Sequence, residues 1–367
     1  MIVSLVPRWF GIARLPKAMA DAGLQCAALC PERSFIARSG ALAKRFHVAS
    51  DTIEGKLSLD QLEEACHHFL PQWIVPADEH AITWMMNGLS GQAGAISPSL
   101  RALLQRSMGQ PQAYAVGTNK WAMAAHAGRL GIEQPATARL QSARDIAEFA
   151  QKCAPPWIVK PAVGFGGGGV RVCATPGEAA RAFALGGSDQ LIQQLIPGET
   201  WMCAFFAFEG RIRAALTVAK ERQNPPLTGP STVVRFEATP KLREMAARLI
   251  AGLGFSGFGS IDAVLRADGK AWFIEFNPRP VPIAHLGRRA GPDLCAAFAC
   301  TLHGKTYTEP RLHRLHARIA LYPQEFLRDP TGDGAEGCEI DRPDDDPKLL
   351  AAMQAYLLRQ QDPSKTM

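Results

Sequence analysis

The stretch of this 367-residue chain richest in groups able to do chemistry is Ser260-Ile-Asp-Ala-Val-Leu-Arg-Ala-Asp-Gly-Lys-Ala-Trp-Phe-Ile-Glu-Phe-Asn-Pro-Arg279. Two alternating runs flank Asp268-Gly269, the strongest short-range hairpin signal. A two-residue loop there sets Asp262 opposite Glu275, with Asn277 two residues on along the same face. The other face carries Ile261, Ala263, Leu265, Trp272, Ile274 and Phe276, is wholly apolar, and must be core. Carboxylates directly opposite one another repel and weaken a sheet. A divalent cation between them removes the conflict. Asp, Glu and Asn oxygens are hard ligands, suited to Mg2+ with substrate phosphates completing its octahedron. A polar face splayed into water would explain a bare Asp/Glu pair, but Asn277, Pro278 and Arg279 at this spacing weigh against it.

A second segment, Trp157-Ile-Val-Lys-Pro-Ala-Val-Gly-Phe-Gly-Gly-Gly-Gly-Val170, reads as a strand ending in Lys160. A loop follows with five glycines in the six positions from Gly164 to Gly169. Glycines let backbone N–H groups approach phosphate oxygens, and Lys160 adds a point charge. The sequence holds no G-x-x-x-x-G-K-[ST], so this is not a P-loop. A flexible hairpin tip is the plainer alternative for the loop taken alone.

These segments need elements to hold them. Residues 2–6 read as a strand, 12–22 as a helix ending at Gly23, and 25–29 as a second strand. Residues 57–69 read as a helix capped by Ser58, with Leu59, Leu62, Cys66 and Phe69 on one face. Residues 72–79 read as a strand running into the acidic turn Asp78-Glu79-His80, a candidate substrate contact. This alternation predicts an open, largely parallel sheet, which binds ligands beyond its carboxyl edge. No G-x-G-x-x-G follows the first strand, so a dinucleotide site has weak support. Residues 92–112 read as a connector and 120–130 as a helix. From 157 to 277 the pattern turns β-rich. Thr175-Pro-Gly-Glu178 and Thr239-Pro240 start two helices, the second running to about residue 251 and closed by Gly252 and Gly254. Residues 329–347, rich in Asp, read as a solvated linker, and 348–361 as a terminal helix.

Composition narrows the classes. Hydrophobic residues make up 47% and charged residues 20%, normal for a soluble globular protein. The longest strongly apolar run, residues 201–208, is far short of the roughly 20 residues of a membrane span. The net charge of +6 is spread without a basic run, so neither nucleic acid nor membrane is an expected partner. Nine cysteines without a C-x-x-C pair read as buried thiols in a reducing compartment. His67, His68, His303, His313 and His316 form no metal motif. The first residues lack a signal peptide's charged start, and the expectation is a cytoplasmic protein.

Val159-Lys160-Pro161, the glycine loop, Asp262 and Glu275-Phe-Asn-Pro-Arg279, in that order, resemble the ATP-grasp superfamily. The likeness is to carboxylate–amine ligases and to ATP-binding domains of the carbamoyl-phosphate-synthase type. Asn119-Lys120, Gly131-Ile-Glu-Gln-Pro135 and Leu191-Ile-Gln-Gln-Leu-Ile-Pro-Gly-Glu199 match more loosely, and Gln194 stands where the family often has Glu. The resemblance covers roughly residues 1–300. It implies an N-terminal open parallel α/β domain (1–110), an ATP-grasp unit of two α+β lobes (111–190 and 191–305), and a C-terminal extension (306–367).

It also implies roles. Lys120 and Lys160 would contact ATP, with Gly166, Gly167, Gly168 and Gly169 closing over the γ-phosphate. The backbone of Gln194, Leu195 and Ile196 would hold adenine, and Glu199 the ribose. Asp262, Glu275 and Asn277 would bind two Mg2+ ions, or Mn2+ in their place. Arg279 and Lys160 would be catalytic, stabilising charge on the transferring phosphoryl. Lys220, Arg222, Arg235 and Arg288 are candidate substrate contacts. The implied activity is ATP-dependent joining of a small-molecule carboxylate to an amine through an acyl phosphate, releasing ADP and phosphate. A bicarbonate-using carboxylase and a non-catalytic nucleotide-binding module are the alternatives, and a homodimer is left open.

Overall fold

A computed structural model describes residues 1–7, 9–48, 59–92, 94–164, 166–187 and 189–361. Strands β1 (Ile2–Val3), β2 (Cys26–Pro31), β3 (Leu42–Val48) and β4 (Val75–Pro76) form a parallel sheet in the order β3-β2-β1-β4. Every residue of β2 is buried, as a parallel strand covered on both faces requires. β1 has β2 on one side and β4 on the other, so the order reverses direction there. Such a switch point opens a crevice at the carboxyl ends of the strands. Trp9 follows β1 into that region and Glu79 follows β4.

Helices α1 (Leu15–Asp21) and α2 (Asp60–Phe69) pack on this sheet. The expected Ser58 cap lies outside the described residues. The acidic turn after β4 is the start of a helix, α3 (Glu79–Ser90), which Asp78 caps by accepting from Ala81 N at 2.8 Å. The connector expected over 92–112 is instead helical: α4 (Pro98–Met108) and α5 (Pro111–Thr118). Ser97 caps α4 with Pro98 at its first turn, a start signal that the weak apolar periodicity obscured. Next comes α6 (Lys120–Arg129), capped by the Asn119 side chain.

A second, antiparallel sheet runs β5-β8-β6-β7, from β5 (Thr137–Leu140), β6 (Trp157–Pro161), β7 (Arg171–Cys173) and β8 (Gln190–Gln194). Helices α7 (Ala143–Lys152) and α8 (Pro176–Leu185) cover one face of it, around Phe149, Trp157 and Ile192. The other face stays free for the glycine loop between β6 and β7.

The third sheet has seven strands in the order β13-β12-β9-β10-β11-β14-β15. They are β9 (Glu199–Phe208), β10 (Arg211–Gln223), β11 (Ser231–Phe236), β12 (Gly257–Leu265), β13 (Ala271–Asn277), β14 (Arg318–Leu321) and β15 (Glu339–Asp341). Along β9, Trp201, Cys203, Phe205 and Ala207 enter one core cluster, and Met202, Ala204 and Phe206 the other. The period of two thus buries both faces. Helix α9 (Pro240–Leu253) covers the first face. It is closed by Gly254 at φ +60°, so Gly252 lies inside the helix rather than ending it. After a short α10 (Gly287–Ala290), α11 (Leu294–Leu302) covers the second face.

The acidic segment 329–347 is not a solvated linker. After α12 (Gln324–Arg328) it adds β15 parallel to β14, then leads to α13 (Pro347–Gln361). Asp341 and Asp346 are only 2% and 3% exposed. Arg14, just before α1, donates to Asp341 Oδ1 at 2.9 Å, and His285 Nε2 lies 2.7 Å from its Oδ2. Asp346 Oδ2 accepts from Ser39 Oγ at 2.6 Å, and its Oδ1 from Gly40 N at 2.9 Å. Composition signalled solvent, but each buried carboxylate has found its donors. All nine cysteines are free and six are buried, in line with their reading as packed thiols.

The β12–β13 hairpin reaches the expected pairing by a different route. Its turn takes in residues 266–269, closed by Gly269 N donating to Arg266 O at 2.9 Å, so Leu265 pairs with Ala271. That is one step off a two-residue loop. A bulge on β13 between Phe273 and Glu275 restores the register, and Asp262 does face Glu275. The faces change accordingly. Phe273 joins the core, while Trp272 and Ile274, expected there, are half-buried.

Candidate active site

The second and third sheets enclose an open cleft, whose lining also includes Trp9 from the first sheet's carboxyl edge. Lys160, on β6, is 4% exposed and donates to Gln193 Oε1 on β8 at 2.7 Å. Gln193 is fixed in turn by donating to Thr137 Oγ1 at 3.0 Å. Lys120, at the N-terminus of α6, donates to Gly164 O at 2.6 Å and so touches the glycine loop. Gly166, Gly167 and Gly169 all have positive φ. At Gly167 a Cβ would stand 2.6 Å from Thr228 O, so only glycine lets this loop rest on the 225–230 loop across the mouth.

On the facing wall, β12 and β13 present Asp262, Glu275 and Asn277, with Arg279 following. Lys220, from β10, donates to Asp262 Oδ2 at 2.8 Å, both side chains under 10% exposed. Asp262 Oδ1 is buried with no partner. Burial pushes the Asp262 carboxyl up, which Lys220 opposes and Glu275 adds to. Glu275 goes the other way. Burial would raise it, but Lys120, Lys160, Lys220 and Arg279 together hold it below the usual range. Arg279 donates to Glu79 Oε1 at 2.7 Å, and its guanidinium lies 5.9 Å from the Trp9 ring centroid.

The donor set fits a hard divalent cation. A buried aspartate oxygen lacks a partner, an ionised glutamate faces it across the hairpin, and an amide oxygen follows two residues on. Among the described residues no three His, Cys, Asp or Glu side chains converge. The set therefore suits an ion that keeps waters and ligand phosphates, as Mg2+ does, and not a closed all-protein cage. The surrounding lysines and Arg279 complement a polyanion.

The other sequence candidates are placed as follows. Gln194, Leu195, Ile196 and Glu199 lie where β8 passes into β9, outside the cleft lining. Gln194 N already donates to Ala136 O at 2.9 Å and Leu195 N to Pro156 O at 3.1 Å. Those two amides are committed, and Glu199 is exposed. Gly168 and Gly169 are exposed on the outer part of the loop. Of the four substrate candidates Lys220 alone lines the cleft. Arg222 pairs with buried Glu325 at 3.2 Å, Arg235 with Glu221 at 2.8 Å and with Glu237, and Arg288 with Asp21. Each of those guanidiniums is held by a carboxylate away from the cleft. Trp9 and Gln193 were not singled out from the sequence. Trp9 lies seven residues after the start of β1, where a switch-point argument alone could have pointed.

Residues 118–282, which carry both walls of this cleft, match the profile of a family described as an ATP-grasp domain. This segment is an ATP-grasp domain. Solved structures share the architecture well outside it. The biotin carboxylase domain of the Hydrogenobacter thermophilus 2-oxoglutarate carboxylase, a dimer in complex with MgADP, ADP and bicarbonate, aligns with a TM-score of 0.65. Identity is 16% over 86% of this chain and 73% of that one. Staphylococcus aureus N5-carboxyaminoimidazole synthetase complexed with ADP gives 0.63 at 13%, over 84% and 78%. Bacillus licheniformis L-amino acid ligase gives 0.59 at 13%, over 82% and 74%. At these identities the likeness is one of ATP-grasp fold. Among the described residues no helix is long and apolar enough to cross a membrane.

Proposed function

We propose that this chain is an ATP- and Mg2+-dependent ligase that activates a carboxylate as an acyl phosphate and joins it to an amine. The reading is carried by the convergence, under one glycine loop, of Asp262, Glu275 and Asn277 with Lys160, Lys220 and Arg279. Mg2+ held by the first three would neutralise phosphate charge and orient the triphosphate. Mn2+ would fit the same oxygens. Lys160 and Lys120 bind phosphate oxygens, and the glycine loop covers them and excludes water from the reactive anhydride. Arg279 and Lys220 hold the attacking carboxylate and offset the charge that gathers on the phosphoryl oxygens. The carboxylate oxygen bonds to the γ-phosphorus and the bond to the β-phosphate oxygen breaks, releasing ADP. The amine nitrogen then bonds to the acyl carbon, the carbon–oxygen bond to phosphate breaks, and the amine loses its proton to solvent.

The test is ADP release against pooled carboxylates and amines, with product masses. A product lighter by one water than the sum of acid and amine is the expected result. ADP release dependent on bicarbonate alone would shift the reading to a carboxylase. Nucleotide binding without ADP release from any pool would make the chain a binding module.

A pH dependence follows from Lys160. Burial pushes its pKa down to about 8, with Glu275 opposing and Lys120 adding to the shift. The nucleotide-free ammonium is charged below about pH 8 and neutral above it. Phosphate binding favours the charged form, so nucleotide affinity is full below that pH and falls as pH rises through it. The limit is about tenfold per pH unit. Calorimetric titration of an ATP analogue from pH 6.5 to 9.5 reads this, and Lys160→Met should flatten the profile.

A further inference from the structure

We propose that the carboxylate activated in this cleft bears an apolar substituent, aliphatic or aromatic, that lies against Trp9. The inference rests on the ATP-dependent carboxylate activation proposed above and names the substrate class.

The cleft lining is charged in one part and apolar in another. The charges that would hold phosphate and its cation are on Lys160, Asp262, Glu275 and Arg279. Ile158 precedes Lys160 on β6, and Ile274 precedes Glu275 on β13, both lining the cleft. Beside Arg279, whose guanidinium lies over the Trp9 ring, the wall is made by Trp9, Met202, Val281, Pro282 and Ile283. These residues are one packed surface: Met202, Val281 and Ile283 belong to a single core cluster, and Trp9 packs against it. Met202 pairs directly with Asp262 across β9 and β12, so this surface begins next to the metal-binding oxygens. The apolar surface thus adjoins both Asp262 and Arg279.

The wall is preformed. A Cβ on Gly11 would stand 2.5 Å from Trp9 Cζ2 and 2.9 Å from Pro282 Cγ, so the indole lies pressed against the Gly11 backbone beside Pro282. Phe10 stacks on its neighbour side at 6.4 Å, and Arg279 lies over the ring. A rigid aromatic surface presented to a ligand loses little entropy on binding. At the mouth, Leu227 lines the cleft yet is 64% exposed, at φ +66°. A branched apolar residue in the left-handed region is uncommon, and here it holds an apolar side chain out over the opening. A bound apolar substituent would cover it. Lys220 and Arg279 supply charge for one carboxylate. A second anion would meet the Trp9 wall unpaired, and bicarbonate would leave that wall wet.

The test measures binding and turnover with the same acids. With a non-hydrolysable ATP analogue and Mg2+ present, calorimetry compares 4-methylpentanoate and 3-phenylpropanoate with glutarate and bicarbonate. The apolar acids should bind at least about tenfold tighter. Trp9→Ala should remove most of that preference while nucleotide affinity changes less than about twofold, and Trp9→Phe should keep it. Leu227→Asp, at an exposed position that should not disturb folding, should weaken the apolar acids and leave nucleotide binding alone. Equal or tighter binding of glutarate or bicarbonate, no binding of either apolar acid, or an undiminished preference in both Trp9→Ala and Leu227→Asp overturns the inference. ADP release separates the two readings. Apolar preference in binding with no ADP from any acid removes the ligase reading and leaves the wall assigned. ADP release without apolar preference does the reverse.

Discussion

Glu275→Ala should lower Mg2+-dependent ADP formation by about a thousandfold or more, the scale at which a preorganised electrostatic group is lost. Glu275 is the anion on which Lys120, Lys160, Lys220 and Arg279 all act. Without it the cation between the hairpin strands loses its ionised ligand. The remaining positive groups then repel one another and drift from the phosphate. Glu275→Gln keeps the shape and one acceptor oxygen and should also fail, because the charge is what the cation needs. Steady-state ADP release and Mn2+ binding in the presence of nucleotide check both variants, with the melting temperature recorded to exclude unfolding. Full activity in either variant would remove Glu275 from the metal site.

Asp341→Ala should cost stability by about 3–5 kcal/mol, the usual result of removing one partner from a buried ion pair. Arg14 and Asp341 are 6% and 2% exposed, and Arg289 and His285 also lean on that carboxylate. The variant leaves buried Arg14 with only the longer pair to half-exposed Asp345, at 3.3 Å. Burial alone would raise the Asp341 carboxyl, but His285, Arg14 and Arg289 hold it below its ordinary 3.8. A lowered folded value means the contribution is full above that ordinary value and is lost as pH falls through the folded one. Urea denaturation at pH 7 measures the loss, and proteolysis shows whether residues 329–361 open first. A change under about 1 kcal/mol, typical of exposed pairs, would show that the cluster does not hold the segment.

The motifs of the cleft were legible because they are local. Val159-Lys160-Pro161, the glycine run and Glu275-Phe-Asn-Pro-Arg279 each lie within one element or turn. Asp262 opposite Glu275 was legible for a partly mistaken reason, since a longer turn and a bulge offset each other. Pattern shows which residues alternate but not where one is skipped, so Ile274 was assigned to the core although it lines the cleft. Helices α4 and α5 were missed because their buried residues are set by packing against neighbours, and the Ser97-Pro98 start is short. The acidic segment misled in the opposite way. Six aspartates suggest solvent, and nothing local reveals that Arg14 or Ser39 will meet two of them from more than 300 positions away. Arg222, Arg235 and Arg288 were proposed on charge alone, which cannot tell a free guanidinium from one already held by a carboxylate.

The ion pair between Arg279 and Glu79 joins positions 200 apart in the chain. It bears on how such a protein can be altered by recombination. The N-terminal sheet looks like an exchangeable module, and a chimera that swaps it for another would keep every motif of the ATP-grasp domain. It would nonetheless leave Arg279 without its carboxylate unless the incoming sheet brought an acid at the first turn after its fourth strand. The seam between the modules runs through the active site, so a graft has to be judged by that one salt link before its overall fit.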